Sequence, residues 1–412
     1  MFQTETRRAA LPRALLFGLA GLLAGCTPVG DPQNIEPVSR GAGYQAQYRD
    51  PEPRQTGQPV LRSALMNAQK CLPWRGDGGG EAGKGGGLNT LALQGEKVSR
   101  NDIVDVRVGA DADLTGRYVI SRDGALKLPF LRPIPAQGRS VEEIEARLEQ
   151  ELLSSGLYET LPPLSVRIAD FASVTVGVSG AVFEPHQVEI GGVSGDETDT
   201  ERQLALGAST EARNLSAALR AVGGVRPDAD ISAVELRRNG QLHVIDMRGV
   251  FEGRNMVDVM LITGDTIFVP SRQCFQDDLM RPSPISPPGV SMFLSNLTQP
   301  AQHNANSAIG RDVREMPYGT RFLQAVVDSN CVGGAKTSSA HRSAALLSRN
   351  PETGVSVVIH RDIEAMLDRG DRDDYDPYIL PGDALACYDS TVTNIAEVAR
   401  VLGLVGVALA LN

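Results

Sequence analysis

Side chains able to carry out chemistry are thinly spread along this chain. Its five histidines, His186, His243, His303, His341 and His360, include no pair at i,i+4, and no H-E-x-x-H occurs. Two imidazoles on one helical turn, which a helical zinc site needs, are therefore missing. No G-x-S-x-G nucleophile elbow is present either. Gly78, Gly80 and Gly83, followed by Lys84, imitate a phosphate-binding loop. Gly85 stands where such a loop carries Ser or Thr, no strand precedes it, and more glycine follows in place of a helix. Asp371, Asp373, Asp374 and Asp376 gather the hard oxygens that Ca²⁺ prefers, but without the spacing of an EF-hand, and they read as a solvated loop. Carboxylates are numerous, as a glycosidase needs, yet small strand units do not bring loops together as a catalytic cleft does. The expectation is a protein that is not an enzyme, with no catalytic residue, no cofactor and no metal site.

The thiols point elsewhere. Cys71, Cys274, Cys331 and Cys387 form no C-x-x-C. In an oxidising compartment these four allow two disulfides in three connectivities. The remaining cysteine, Cys26, ends an N-terminal segment with Arg7, Arg8 and Arg13 ahead of an apolar run, Leu15 to Leu23, too short for a membrane span. Leu23-Ala24-Gly25-Cys26 resembles the lipobox of bacterial lipoproteins. That resemblance implies removal of residues 1–25 as a signal peptide and acylation of Cys26 with palmitate-like chains. Thr27, rather than an Asp that would favour the inner membrane, implies an outer-membrane anchor with the bulk of the protein in the periplasm.

Composition narrows the class further. The 412 residues are 42% apolar and 22% charged, which suits a folded protein of several domains. A net charge of −10 leaves no basic footprint for nucleic acid. Aromatics make up 5%, with Trp74 the sole tryptophan, and the 43 glycines and 25 prolines favour turns and short strands.

Residues 26–95, rich in Gly, Pro, Gln and Asn, read as a flexible tether. Ile103 to Val108 has the β-branched content of a strand. Tyr118-Val119-Ile120 and Leu126-Lys127-Leu128 flank Asp123-Gly124 as a hairpin would. Ser140 and Glu143 form a capping box for a helix burying Val141, Ile144, Leu148 and Leu152, which Gly156 stops. Leu164 to Ile168 alternates as a strand. Beyond it lies an internal repeat. Val178 to Pro185 answers Phe293 to Pro300. A helix capped by Asn214 answers one capped by Thr320, and each runs into Val-Gly-Gly. Val234 to Arg238 answers Ala344 to Arg349, Leu242 to Asp246 answers Ser356 to His360, and Gly264 to Pro270 answers Gly382 to Tyr388. Short strands around one helix give a β-grasp-like layout. The fold class is α+β.

This order of lipobox, small α+β domain, two repeats and terminal helix resembles the outer-membrane polysaccharide export lipoproteins. Asn101-Asp102-Ile103-Val104, Leu114 to Ile120, Asp123 to Pro129 and the Ser140 helix are similar to their export domain. The repeats are similar to soluble-ligand-binding β-grasp domains. Asn101 replaces a usual Gly, Glu184-Pro185-His186 replaces a usual Pro-Gly, and residues 369–376 look like an insertion. The resulting division is 1–25 signal peptide, 26–95 tether, 96–172 export domain, 173–275 first repeat, 276–289 Pro-rich linker, 290–390 second repeat and 391–412 C-terminal helix. In a β-grasp unit Cys331 and Cys387 come within bridging range, which leaves Cys71 with Cys274.

From Ile395 to Leu411 only Glu397 and Arg400 are charged. At 1.5 Å per residue this run spans about 25 Å, near a thin hydrocarbon core. Ala399, Gly403, Gly406 and Ala410 form a small-residue stripe of the kind that packs helices closely in lipid. The resemblance implies a homo-oligomer, an octamer in this family, whose amphipathic helices together cross the outer membrane as a porin-like barrel. Its partners would be the exported polysaccharide, outer-membrane lipid and an inner-membrane polysaccharide co-polymerase. The competing reading is a monomeric periplasmic lipoprotein that binds a soluble glycan or cell-wall fragment.

Overall fold

The structure, a computed structural model, describes residues 71–76, 93–109, 111–191, 210–254, 258–296, 314–329, 343–351, 354, 356–368 and 375–388. Cys26, Cys331, Ala399, Gly403, Gly406 and Ala410 lie outside these residues. Within them the protein is mixed α+β, with several sheets and few helices.

β-branched residues alternate along β1 (Ile103–Val108), so Val104, Val106 and Val108 all face the core. β2 (Asp111–Val119) pairs with β1 in antiparallel register, Ile103 opposite Val119. The Asp123-Gly124 turn is present, with Gly124 at φ 77°. It does not make the expected hairpin, because Val119 is already paired with Ile103, and Ile120 bonds to Asn101 and Asp102. The strand after the turn, β3 (Ala125–Leu126), pairs instead with β4 (Ile134–Pro135). The capping box is formed. Glu143 N–H donates to Ser140 Oγ, and Ser140 N–H donates to the Glu143 carboxylate, starting α1 (Val141–Ser154). α1 buries Ile144, Leu148 and Leu152, each worth about 1.5–3 kcal/mol of transfer free energy. Val141 is only partly buried at the edge of that core. The unit closes with β5 (Leu164–Asp170), antiparallel on the other side of β1.

The second unit contains β6 (Val174–Gly180), β7 (Gln187–Ile190), α2 (Leu215–Ala221), β8 (Val234–Arg238), β9 (Gln241–Ile245), a single turn α3 (Gly249–Glu252) and β10 (Thr266–Val269). Its sheet order is β7-β6-β10-β8-β9, with β6 and β10 parallel and the other neighbours antiparallel. The third unit contains β11 (Val290–Asn296), β12 (Arg314–Met316), α4 (Phe322–Asp328), β13 (Ser343–Arg349), β14 (Ser356–Asp362), α5 (Ile363–Asp368) and β15 (Ala384–Tyr388). Its order, β12-β11-β15-β13-β14, has the same parallel pair at its centre. A hairpin, a helix, a second hairpin and a final strand inserted beside the first is the β-grasp arrangement. The sequence repeat is thus a structural repeat, with β7 and β12 as strands that the sequence pattern does not announce.

Register corrects the alignment of the repeats. Gly177 lies opposite Thr266, and Phe293 opposite Ala384, so Val178 corresponds to Leu294 rather than Phe293. In strands a one-residue slip exchanges the faces. Thr266 faces Arg237 while Ala384 faces Leu347, so Arg238 corresponds to Ser348. The helix caps differ from expectation too. Asn214 makes no side-chain cap bond, and the cap position of α4 is Arg321, with Thr320 donating to Pro317 O instead. The capping carboxylates come from the loop before the last strand. Asp258 accepts from Ser216 N–H, and Asp376 accepts from Leu323 N–H.

The segment between the two repeats is packed. A 3₁₀ turn, Asp277–Met280, buries Leu279 and Met280, Ile285 sits in the core of the first repeat, and Val225 N–H donates to Ile285 O. Among the described residues no helix is long and apolar enough to cross a membrane. Residues 391–412 lie outside that search.

Candidate functional site

The strongest polar constellation joins the first unit to the first repeat. Asn101 takes φ 68°, a left-handed conformation that Gly enters freely and Asn tolerates, so the Gly-to-Asn replacement keeps the turn into β1. The next residue, Asp102, is fully buried and accepts Ser99 N–H at 2.6 Å and Ala172 N–H at 2.9 Å. Nη1 of Arg213 donates to both its oxygens, at 2.9 and 3.0 Å, and Nη2 donates to Leu261 O. Arg213 is also fully buried, with its guanidinium 5.1 Å from the Phe171 ring centroid. Burial pushes the Asp102 carboxyl above its ordinary value, while Arg213 and the two N–H donors pull it back. Gly191 is required beside it. A Cβ there would lie 2.3 Å from Arg213 Cγ. Ser99 and Thr263, Gln137 and Thr263, and Lys97 and Met260 add further bonds across the same junction. In the second repeat Thr320 occupies the place of Arg213: Leu261 N–H donates to Arg213 O, and Ile379 N–H to Thr320 O. Only the first repeat offers this arginine.

A second constellation fixes residues 71–76, which lie inside the stretch read from the sequence as a flexible tether. Cys71 and Cys274 form a disulfide across 203 residues, with Cα atoms 4.9 Å apart. Trp74 lies under Arg272 at 3.7 Å from its ring centroid. Arg75 N–H donates to Asp230, and Gly76 N–H to Ser232 Oγ. Burial lowers the Arg272 guanidinium from its ordinary value. The strap closes one wall of a cleft of about 470 Å³ that reaches Phe251 and Arg281. Arg281 also borders a second cleft, of about 760 Å³, walled by Tyr318, Arg321 and Tyr378 of the second repeat. No sequence signal marked either cleft, since their walls come from segments far apart in the chain.

Other anticipated groups fall as follows. Cys387 is disulfide-bonded, and Cys331 lies outside the described residues. Asp376 is a buried helix cap rather than part of a solvated loop, and Asp371, Asp373 and Asp374 lie outside the described residues. Among the described residues no three His, Cys, Asp or Glu side chains gather as metal ligands would.

The site-bearing architecture is thus a small α+β domain bonded to the first of two β-grasp repeats. Residues 93–169 match the family model of polysaccharide biosynthesis/export proteins, and this segment is an export domain of that family. No curated protein matches the chain.

Proposed function

We propose that the protein is a subunit of an outer-membrane translocon for capsular or exopolysaccharide. The observation that carries this reading is the match of residues 93–169 to the export family. Cys26 anchors the chain by its acyl chains, and the bulk of it occupies the periplasm. Subunits assemble into a ring, the 391–412 helices insert together, and the polymer passes through without being processed. Transport is passive here. The work is done by polymerisation at the inner membrane, reached through a co-polymerase partner. The junction at Asp102 and Arg213 supports the reading, because a ring of stacked domains needs each domain held at a fixed angle to the next.

The test is deletion of the gene with complementation. Polymer should disappear from the cell surface and return with the intact gene. Polymer still displayed by the deletion strain would end the reading. Negative-stain imaging of the detergent-extracted lipoprotein separates the conduit from a monomeric glycan binder, since rings favour the first and single particles the second.

A further inference from the structure

We infer that the two clefts meeting at Arg281 form one groove that holds a stretch of several sugar residues. The inference deepens the export reading and rests on it for the identity of the glycan. The chain is poor in aromatics, yet the groove gathers rings paired with guanidinium groups. Arg272 lies 3.7 Å from the Trp74 ring centroid, Arg281 lies 5.7 Å from that of Phe251, and Arg321 lies 4.2 Å from that of Tyr378. Phe275 stacks on Tyr378 at 5.8 Å and links the two sides.

This chemistry suits a pyranose. Trp74, Phe251 and Tyr378 are each partly exposed and offer apolar surface to the C–H groups of a sugar, with the buried Phe275 behind them, and planar guanidinium, carboxylate and amide groups match its hydroxyls as donors and acceptors. Donors are available. Arg272 spends Nε on Leu72 O and Nη1 on Gln276, which leaves Nη2 without an acceptor among the described residues. Arg248 spends Nε and Nη2 on Asp246, and its Nη1 meets no acceptor among the described residues. Arg281 spends Nε and Nη2 on Asp278, and its Nη1 meets no acceptor among the described residues. The charges argue against other occupants. Arg248, Arg272, Arg281 and Arg321 face Glu252, Asp277, Asp278 and Asp376 in the two walls, a balance that does not favour a polyphosphate. So many charged groups likewise disfavour an acyl chain. Each volume, about 470 and 760 Å³, lies within the ~300–1,000 Å³ of ligand clefts, and together they suit an extended oligosaccharide better than a single ring.

Trp74, the sole tryptophan, lines the groove, so its fluorescence reports occupancy. The probe is the hexasaccharide fraction from partial hydrolysis of the cells' own surface polysaccharide, titrated into the full-length lipoprotein in detergent. The expected result is a saturable change in Trp74 emission with matching heat in calorimetry. In Arg281→Ala binding should weaken about tenfold, the loss expected when hydrogen bonds from a charged group are removed. The Arg281 side chain is 57% exposed and its ion-pair partner Asp278 is 85% exposed, so this variant keeps its fold. Absence of both signals overturns the groove, and so does unchanged affinity in Arg281→Ala, which would put binding elsewhere. Polymer lost from the surface of the deletion strain, combined with silent titrations, sinks the groove alone. Polymer still displayed by that strain ends the export reading, and the titrations then decide the groove by themselves.

Discussion

Asp102 and Arg213, 111 residues apart in the chain, form a fully buried ion pair between the export domain and the first β-grasp repeat, in which Nη1 of the arginine donates to both carboxylate oxygens. A buried pair gives little net stability over an apolar replacement, because desolvation cancels most of the attraction. It is expensive to break from one side. Arg213→Ala leaves Asp102 buried without its cation and should cost about 3–5 kcal/mol. Asp102→Asn with Arg213→Met should recover much of that loss. Urea unfolding of the full chain checks both. The single variant should unfold at clearly lower urea, and a double variant no better than Arg213→Ala would contradict the account. Gly191→Ala should reproduce the damage, since its new methyl collides with Arg213.

The two repeats treat the same buried carboxylate differently. Asp265 is held by Arg238, with N–O distances of 3.0 and 2.6 Å. Asp383, its equivalent, has Ser348 where Arg238 would stand, together with the N–H groups of Leu380 and Arg349. Burial outweighs these bonds and pushes Asp383 up to about 7. In the unfolded chain the same carboxyl titrates near 4. Between these values the unfolded state loses its proton first, so stability falls as pH rises from about 4 to 7 and then levels off. The full penalty is on the order of 2–4 kcal/mol. Asp383→Asn should remove this slope and raise stability at pH 8. Thermal melts across pH 4–8 read the difference, and parallel profiles for the two proteins would refute it.

The strap gives a prediction with an optical readout. Cys71→Ser with Cys274→Ser should stabilise the unfolded chain through loop entropy and cost about 2–4 kcal/mol. Arg75 and Gly76 keep their bonds to Asp230 and Ser232, so the segment loosens rather than leaves. Trp74 should then emit at longer wavelength, because Arg272 and the cleft wall no longer hold it. An unshifted spectrum would show that the disulfide does not set the position of Trp74.

How much of this was legible in the sequence follows from the range of each interaction. The capping box at Ser140 and the buried face of α1 are set by residues three and four apart, and they read directly. The repeat was visible because Gly-Asp before β10 and β15 is local and recurs. The exchange of Arg213 for Thr320 and of Arg238 for Ser348 was present in the letters. Its meaning needed the register, and the register depends on which strand lies beside β10 and β15. The caps of α2 and α4 differ from expectation for a similar reason: Asn214 does hold the N-cap position of α2 but makes no side-chain bond there, and the cap position of α4 is Arg321 rather than Thr320. Asp258 and Asp376 reach them from more than forty residues away, which no local pattern records. The clefts at Arg281 were invisible, since their walls meet only in the fold.

The C-terminal run carries the sharpest prediction about the conduit. Ala399, Gly403, Gly406 and Ala410 share one side of a helix if residues 391–412 form one. In lipid, helices associate through close packing because acyl chains are as apolar as leucine. Replacing Gly403 and Gly406 together by Leu should hold neighbouring backbones apart and prevent closure of the barrel. The cores of the export domain and of both repeats lie before residue 389, so these domains should still fold. Export should drop while protein level stays constant. A cysteine at Asn412 gives the positional test. In intact cells it should react with a membrane-impermeant maleimide if the helix crosses the outer membrane. A cysteine labelled only after the outer membrane is permeabilised would place the C-terminus in the periplasm and remove the exit from the mechanism.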